Sequence, residues 1–251
     1  MKAMILAAGL GTRLRPLTND RPKALVTLGG RTLLEWALRR LRAAGATEII
    51  VNTHHFADLV EAEIGRLREK LGLAIAVSRE PELLDTGGGL KRAAWFFSGS
   101  EEPFLLHNVD VASGIDLGQM LRAHREQKNL ATLAVSERVS SRKLLFTAAG
   151  QLVGRRTTRQ GETTDELASA AVSVALTPLA FGGLHVLSPD LFPLLTEEGA
   201  FSIIPAYLRL AGEGHPIAAF RSTGAYWRDL GRPESLHQAE QDLRDGLLKL
   251  D

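Results

Sequence analysis

Short, nearly continuous apolar runs alternate along the chain with longer stretches of helical spacing. Ala3-Met4-Ile5-Leu6-Ala7-Ala8 reads as a first buried strand. Residues 32–44 repeat apolar positions at Leu33, Leu34, Ala37, Leu38 and Leu41, which predicts a helix closed by Gly45. The pattern then predicts strands at 48–52, 74–77, 104–106 and 131–135, with helices at 57–71, 89–97 and 117–127. Strands apolar on both faces belong to a covered sheet. The expected class is therefore α/β, a mostly parallel, Rossmann-like doubly wound sheet with helices on both faces. Right-handed crossovers then fix most of its topology.

After Ser136 the rhythm changes. Residues 143–156, centred on Ala148-Ala149-Gly150, predict a hairpin, and 155–169 are polar and irregular enough to predict a mobile loop. Strand character returns at 181–187, a helix is expected at 203–210, and a closing helix at 233–248. Neither an internal repeat nor a hexapeptide array follows. The expectation is one domain over 1–251, with a small β-rich extension on the main sheet.

Composition narrows the partners. A hydrophobic content of 45% with 24% charged residues suits a globular enzyme with a substantial core. The net charge of +1 argues against a nucleic-acid footprint. With no cysteine, disulfides and thiolate metal sites are ruled out. Lys2 and the apolar run after it mimic a short signal peptide, but Arg13 and Arg15 end the run too soon. No stretch approaches a membrane span, so a cytoplasmic protein is expected, without nucleic-acid or membrane partners.

The first strand leads into Gly9-Leu10-Gly11-Thr12-Arg13-Leu14-Arg15-Pro16-Leu17-Thr18, with Arg21-Pro22-Lys23 beyond. Glycines let backbone N–H groups close on an anion, and Arg13 and Lys23 supply the charge a phosphate chain needs. The string is not a P-loop, and a dinucleotide fingerprint would need a glycine at Leu14. A second cluster, Asp85-Thr86-Gly87-Gly88-Gly89, follows the third strand. In an open α/β sheet both loops fall outside the carboxyl ends of the strands. Its glycines suit close approach of a flat ligand, or a helix start capped by Thr86, or both.

The stretch from Gly9 to Lys23 resembles the signature of the sugar-phosphate nucleotidyltransferases, with every signature position filled. Three further segments are similar to that family's. Leu106-His107-Asn108-Val109-Asp110 ends an apolar strand in an acid, with Val109 where the family usually has glycine. Trp227-Arg228-Asp229-Leu230-Gly231-Arg232-Pro233-Glu234 matches its tryptophan–aspartate segment. Phe181-Gly182-Gly183-Leu184 resembles its sugar-site strand, though the same residues suit a β-bulge. The glycine cluster is nearest to the Glu-Thr-Gly-Gly-Gly form of the muramic acid members, with Asp85 in place of glutamate.

The resemblance implies transfer of a nucleotidyl group from a nucleoside triphosphate to a sugar 1-phosphate. Nucleotide contacts would come from Ala8, Gly9, Gly11, Thr12, Arg13, Thr86, Gly87 and Gly88, and sugar contacts from Asn108, Gly182 and Gly183. Arg13 would hold the triphosphate and Lys23 the phosphate being joined. Asp110 and Asp229 would hold Mg²⁺, which favours oxygen ligands. UTP with N-acetylmuramate 1-phosphate is the expected pair, with guanylyl transfer to mannose or heptose 1-phosphate as the alternative. A catalytically silent member of the fold would be expected to lose one of these charged residues, and all are present. A glycosyltransferase would favour Asp-x-Asp, whereas Ala112 stands two residues after Asp110. The pair His54-His55 reads as a loop after the second strand rather than as metal ligands.

Overall fold

A computed structural model describes residues 1–169 and 175–249. The chain begins with β1 (Lys2–Leu6), the short pair β2 (Thr27–Leu28) and β3 (Arg31–Thr32), α1 (Leu33–Ala43) and β4 (Glu48–Thr53). Then come α2 (Ala57–Leu71), β5 (Ala74–Arg79), α3 (Asp85–Arg92), α4 (Ala94–Phe97), β6 (Phe104–Asn108) and β7 (Val111–Ser113). Next are α5 (Leu117–Gln127), β8 (Ala131–Ser136), β9 (Arg142–Phe146), β10 (Leu152–Arg159), β11 (Glu162–Leu167) and β12 (Thr177–Leu187). The described chain closes with α6 (Ile203–Gly212), β13 (Ile217–Arg221), β14 (Trp227–Asp229) and α7 (Pro233–Arg244).

Strands β5, β4, β1 and β6 lie side by side in parallel. Strand β12 runs antiparallel to β6 and to β8, and β13 pairs parallel with β8. The central sheet is thus mostly parallel, with β12 alone reversed. From β1 the chain steps outward to β4 and β5, then returns to β6 on the other side. A crevice opens where the order reverses, beyond the carboxyl ends of β1 and β6.

Side-chain alternation explains why helices cover both faces. In β1, Ala3 and Ile5 pack with Leu34 and Leu38 of α1, Ile64 of α2, Met120 of α5 and Ala239 of α7. Met4 points the other way, into a cluster with Leu90 of α3, Phe97 of α4 and Ala206 and Tyr207 of α6. Ile49 and Val51 of β4 join the first cluster and Ile50 the second. Each strand residue therefore buries apolar area on one face or the other, at about 25 cal/mol per Å².

Three expectations are corrected. The region 155–169 is no mobile loop: β10 and β11 form an antiparallel hairpin in register from Gly154↔Leu167 to Arg159↔Glu162. Gln160 and Gly161, both at positive φ, make its two-residue turn. The helix expected at 89–97 begins earlier and is interrupted, as α3 and α4. The closing helix stops at Arg244, because Gly246 at φ 71° takes the chain out of the helix. Among the described residues no helix is long and apolar enough to cross a membrane.

Candidate active site

A polar relay with no signature in the sequence holds the loop after β1. Ala7 N–H donates to Asn52 Oδ1 (2.6 Å), and Asn52 Nδ2 donates to Glu80 Oε1 (2.7 Å). Glu80 Oε2 accepts the Leu84 N–H at 3.0 Å. Asn52 and Glu80 are both buried, so this chain of bonds fixes the first glycine loop against the second. Nothing in the residue types alone marks them, since each sits among other polar residues where a strand gives way to a loop.

Gly11 adopts φ 65°, and a Cβ there would lie 3.0 Å from Lys23 Cβ and 3.2 Å from Thr18 Cγ2. Thr18 Oγ1 donates to the Gly11 carbonyl at 2.9 Å. The loop is therefore folded on itself, with Lys23 packed over the glycine turn.

Lys23 Nζ forms an ion pair with Asp110 Oδ2, and both side chains are largely buried. Arg13 Nη2 lies 3.8 Å from Asp229 Oδ2, with both side chains about half exposed. Asp229 pairs with Val111 in the β7–β14 ladder, and Leu230 N–H donates to the Asp110 carbonyl. Both carboxylates therefore stand at one end of a two-stranded ribbon, each matched to a cation from the glycine loop. Gly231 keeps this approach open: a Cβ there would sit 2.6 Å from Asp229 Oδ1 and 2.7 Å from Arg13 Nη2.

A cavity of about 830 Å³ lies here. Of the expected site residues, Ala8, Gly9, Thr12, Arg13, Lys23, Thr86, Asn108 and Asp110 line it, and Asp85 and Ala200 close the opposite wall. Asp229 reaches it through Arg13. Gly87 and Gly88 are not in the lining. Their N–H groups donate to Phe201 O at 2.9 and 3.2 Å, and a Cβ would lie 2.2 Å from the Phe201 ring or 2.4 Å from Gly199 O. These glycines serve the packing of α3 on segment 199–201. Thr86 is no N-cap of this helix either; its Oγ1 accepts the Ile203 N–H at the start of α6. Val109, where the family has glycine, turns its side chain into the core.

Gly183, at φ 74°, packs against Asn108: a Cβ would be 2.9 Å from Asn108 Nδ2. The ladder of β12 with β8 slips between Phe181 and His185, so these glycines do form a bulge. Arg138, another residue without a sequence signal, locks that bulge. Its guanidinium donates to the carbonyls of Ala180 (2.9 Å) and Phe181, and lies 3.6 Å from the Trp227 ring centroid. The Trp227 indole N–H donates to Gly182 O at 2.8 Å. Burial lowers the pKa of Arg138 from its usual value, and the charge of Asp229 opposes that shift.

His54 Nδ1–H donates to the Glu80 carbonyl (2.9 Å), and His54 takes no part in the cavity lining. His107 and His185 are fully buried on neighbouring strands, and burial pushes each pKa down to about 3. They are neutral structural groups. No set of three or more His, Asp or Glu side chains among the described residues could enclose a metal ion. Asp110 and Asp229 nevertheless offer hard oxygen donors, and beside them the buried Asn108 Oδ1 has no hydrogen-bond partner. That donor set fits Mg²⁺ held by one or two carboxylates with phosphate and water completing the shell.

The nucleotidyl transferase family pattern matches residues 2–143. The chain belongs to this family. It is 36% identical over 246 residues to the N-acetylmuramate alpha-1-phosphate uridylyltransferase of Caulobacter vibrioides, covering 97% of both chains. It is also 31% identical to the mannose-1-phosphate guanyltransferase beta-A of Xenopus laevis, covering 93% of this chain and 62% of that longer relative. In three dimensions it is similar to HddC of Yersinia pseudotuberculosis, with a TM-score of 0.75 at 21% identity, over 96% of this chain and 99% of HddC. The last likeness speaks for the fold alone. The chain is a member of a family of sugar-phosphate nucleotidyltransferases.

Proposed function

We propose that the chain joins a nucleoside triphosphate to a sugar 1-phosphate, releasing pyrophosphate, with UTP and N-acetylmuramate 1-phosphate as substrates. The observation that carries the reading is the pairing of Lys23 with Asp110 and Arg13 with Asp229 at the edge of one cavity. Two cations and two anions cancel there until a polyanion arrives. The phosphates then draw Arg13 and Lys23 toward themselves, which leaves both carboxylates free. Mg²⁺ bound to Asp110 and Asp229 would neutralise phosphate charge.

A sugar phosphate oxygen is already anionic near neutral pH, so no nucleophilic side chain and no general base is needed. That oxygen attacks the α-phosphorus, a new P–O bond forms, and the bond to the β-phosphate breaks, with its electron pair leaving on pyrophosphate. The work left to the protein is in-line placement and charge compensation. Arg13 would hold the triphosphate, and Lys23, largely buried, would hold the phosphates that react. Ala8, Gly9, Gly11 and Thr12 would cradle the nucleotide, with Thr86 on the second glycine segment meeting it from the other side; Gly87 and Gly88, packed on segment 199–201, would support that segment rather than touch the ligand. Asn108 and the bulge at Gly182 and Gly183 would face the sugar.

The choice of uridylyl transfer is supported by the extent of the likeness to the Caulobacter relative, which spans almost all of both chains. Guanylyl transfer to mannose 1-phosphate is the second reading, favoured by the 31% identity to the Xenopus relative. A matrix of four nucleoside triphosphates against N-acetylmuramate, N-acetylglucosamine, mannose and heptose 1-phosphates, read by pyrophosphate release, tests both. Turnover with UTP and N-acetylmuramate 1-phosphate is expected. Turnover with GTP and a hexose or heptose 1-phosphate, and none with UTP, would replace that pair.

A further inference from the structure

A second cleft, of about 530 Å³, opens beside strand β12 and is lined by Arg142, Lys143, Arg155, Arg156 and Arg159. No carboxylate lines it. Arg155 and Arg156 are matched by Glu166 and Asp165 of β11, at 2.6 and 2.7 Å. Arg142, Lys143 and Arg159 have no ion pair among the described residues, although Glu162 stands across the ladder from Arg159. Lys143 lies directly opposite Arg156 in the β9–β10 ladder. Like charges so placed cost stability, and Asp165 offsets only one of the two. At Arg142, Lys143 and Arg159 the cleft therefore gathers positive charge beyond what the ion pairs of the hairpin use.

Two segments of chain link the cleft to the catalytic cavity. Phe181 lines the cleft, and Gly183, two residues on, packs against the cavity residue Asn108. On the facing wall Ser202 lines the cleft and Ala200 the cavity. Two residues of chain span at most roughly 7 Å. A sugar ring beside Asn108 and Gly183, with its 1-phosphate at Lys23, would send a ring substituent into this positive field.

We propose that the cleft selects sugar 1-phosphates whose ring carries a second negative charge, a carboxylate held by Arg142 and Arg159 with Lys143 adding charge. The inference rests on the nucleotidyl-transfer reading and deepens it. A planar guanidinium matches a carboxylate with two parallel hydrogen bonds, and a neutral hydroxyl in the same place forgoes them. The cleft would thus favour an acidic sugar over its neutral counterpart through the sugar alone, leaving the nucleotide untouched.

The test is the double variant Arg142→Gln/Arg159→Gln, with Lys143→Gln as a second, independent variant. Each is assayed with N-acetylmuramate 1-phosphate and with N-acetylglucosamine 1-phosphate, which lacks the carboxylate-bearing ether. The double variant should lose about tenfold or more in kcat/KM for the acidic sugar phosphate. Its kcat/KM for the neutral one and its KM for the triphosphate should stay unchanged. Equal losses for both sugars, or a loss confined to the triphosphate, would overturn the proposal. Calorimetric titration with free N-acetylmuramic acid separates the two readings, since it needs no turnover. Binding to the native protein that both variants weaken supports the cleft even where no transfer is detected. Binding that is absent, or equal in all three proteins, refutes it whatever the enzyme does.

Discussion

The Leu230 N–H donates to the Asp110 carbonyl at 2.8 Å, just beyond the ladder in which Asp229 faces Val111. One backbone bond thus joins the loop after β6 to the segment before α7 and brings two carboxylates from distant parts of the chain to the same edge. Their cations arrive from a third segment, the glycine loop after β1. Three stretches of chain meet at one point, and each contributes charge rather than a nucleophile.

The two cations are expected to separate kinetically. Lys23 is largely buried at its ion pair, whereas Arg13 is half exposed. A charged donor works harder where water is excluded. Lys23→Ala should lower kcat on the order of a hundredfold and weaken the sugar phosphate. Arg13→Ala should chiefly reduce kcat/KM for the triphosphate, by about tenfold. Titrations in which each variant loses the other ligand would reverse these roles.

Gly88 should be intolerant of any side chain for a reason of packing. Its missing Cβ would fall 2.4 Å from Gly199 O, a backbone atom that cannot swing aside. Gly88→Ala should therefore cost about 1–3 kcal/mol in urea unfolding. At Gly9, where a Cβ would meet nothing within 4 Å, alanine should leave stability near the native value. Equal stabilities for the two variants would show that α3 shifts freely against segment 199–201.

Much of the charged cavity edge was legible in the residues because loops that handle phosphate use a few residue types in fixed order. Gly9 to Lys23, Asp110 and Asp229 stand out for that reason, and strands β1, β4, β5, β6 and β8 show as apolar runs because both faces are covered. What could not be read was support. Asn52, Glu80 and Arg138 act by meeting partners far away in sequence, which spacing does not reveal. The β10–β11 hairpin escaped for a different reason. β11 is exposed along its whole length, so no apolar alternation marks it. It is held instead by cross-strand pairs such as Arg156–Asp165 and Thr158–Thr163. The Gln160-Gly161 turn between threonine pairs was the available signal. The glycines at 87–89 were readable as a loop for ligands but not as a helix packed on backbone.

The buried histidines give stability a pH dependence of known sign. Burial first, and then the charge of Arg40, hold His107 at about 3; burial first, and then His107, hold His185 at about 3. The ordinary value is 6.5, so the unfolded chain takes up protons that the folded chain refuses. Their contribution is complete above about pH 6.5 and is lost as pH falls toward 3. His185→Gln keeps a polar atom for the Tyr207 hydroxyl, which bonds His185 Nδ1 at 2.9 Å, but cannot titrate. Its Tm should fall less steeply than the native Tm between pH 7 and pH 4. Parallel curves for the two proteins would exclude His185 as a source of acid sensitivity.

Metal-assisted transfer at this edge would rest on Asp110 and Asp229 once phosphate has drawn Lys23 and Arg13 away. Its most direct test is pyrophosphate release across a Mg²⁺ titration by the native protein and by Asp110→Asn and Asp229→Asn, with nucleotide binding followed in parallel by calorimetry. Mg²⁺-dependent release by the native protein is expected. In each variant the barrier should rise by several kcal/mol, on the order of a thousandfold or more in rate, while the fold is retained. Native Mg²⁺-dependent rates in either variant would contradict this role of the two carboxylates.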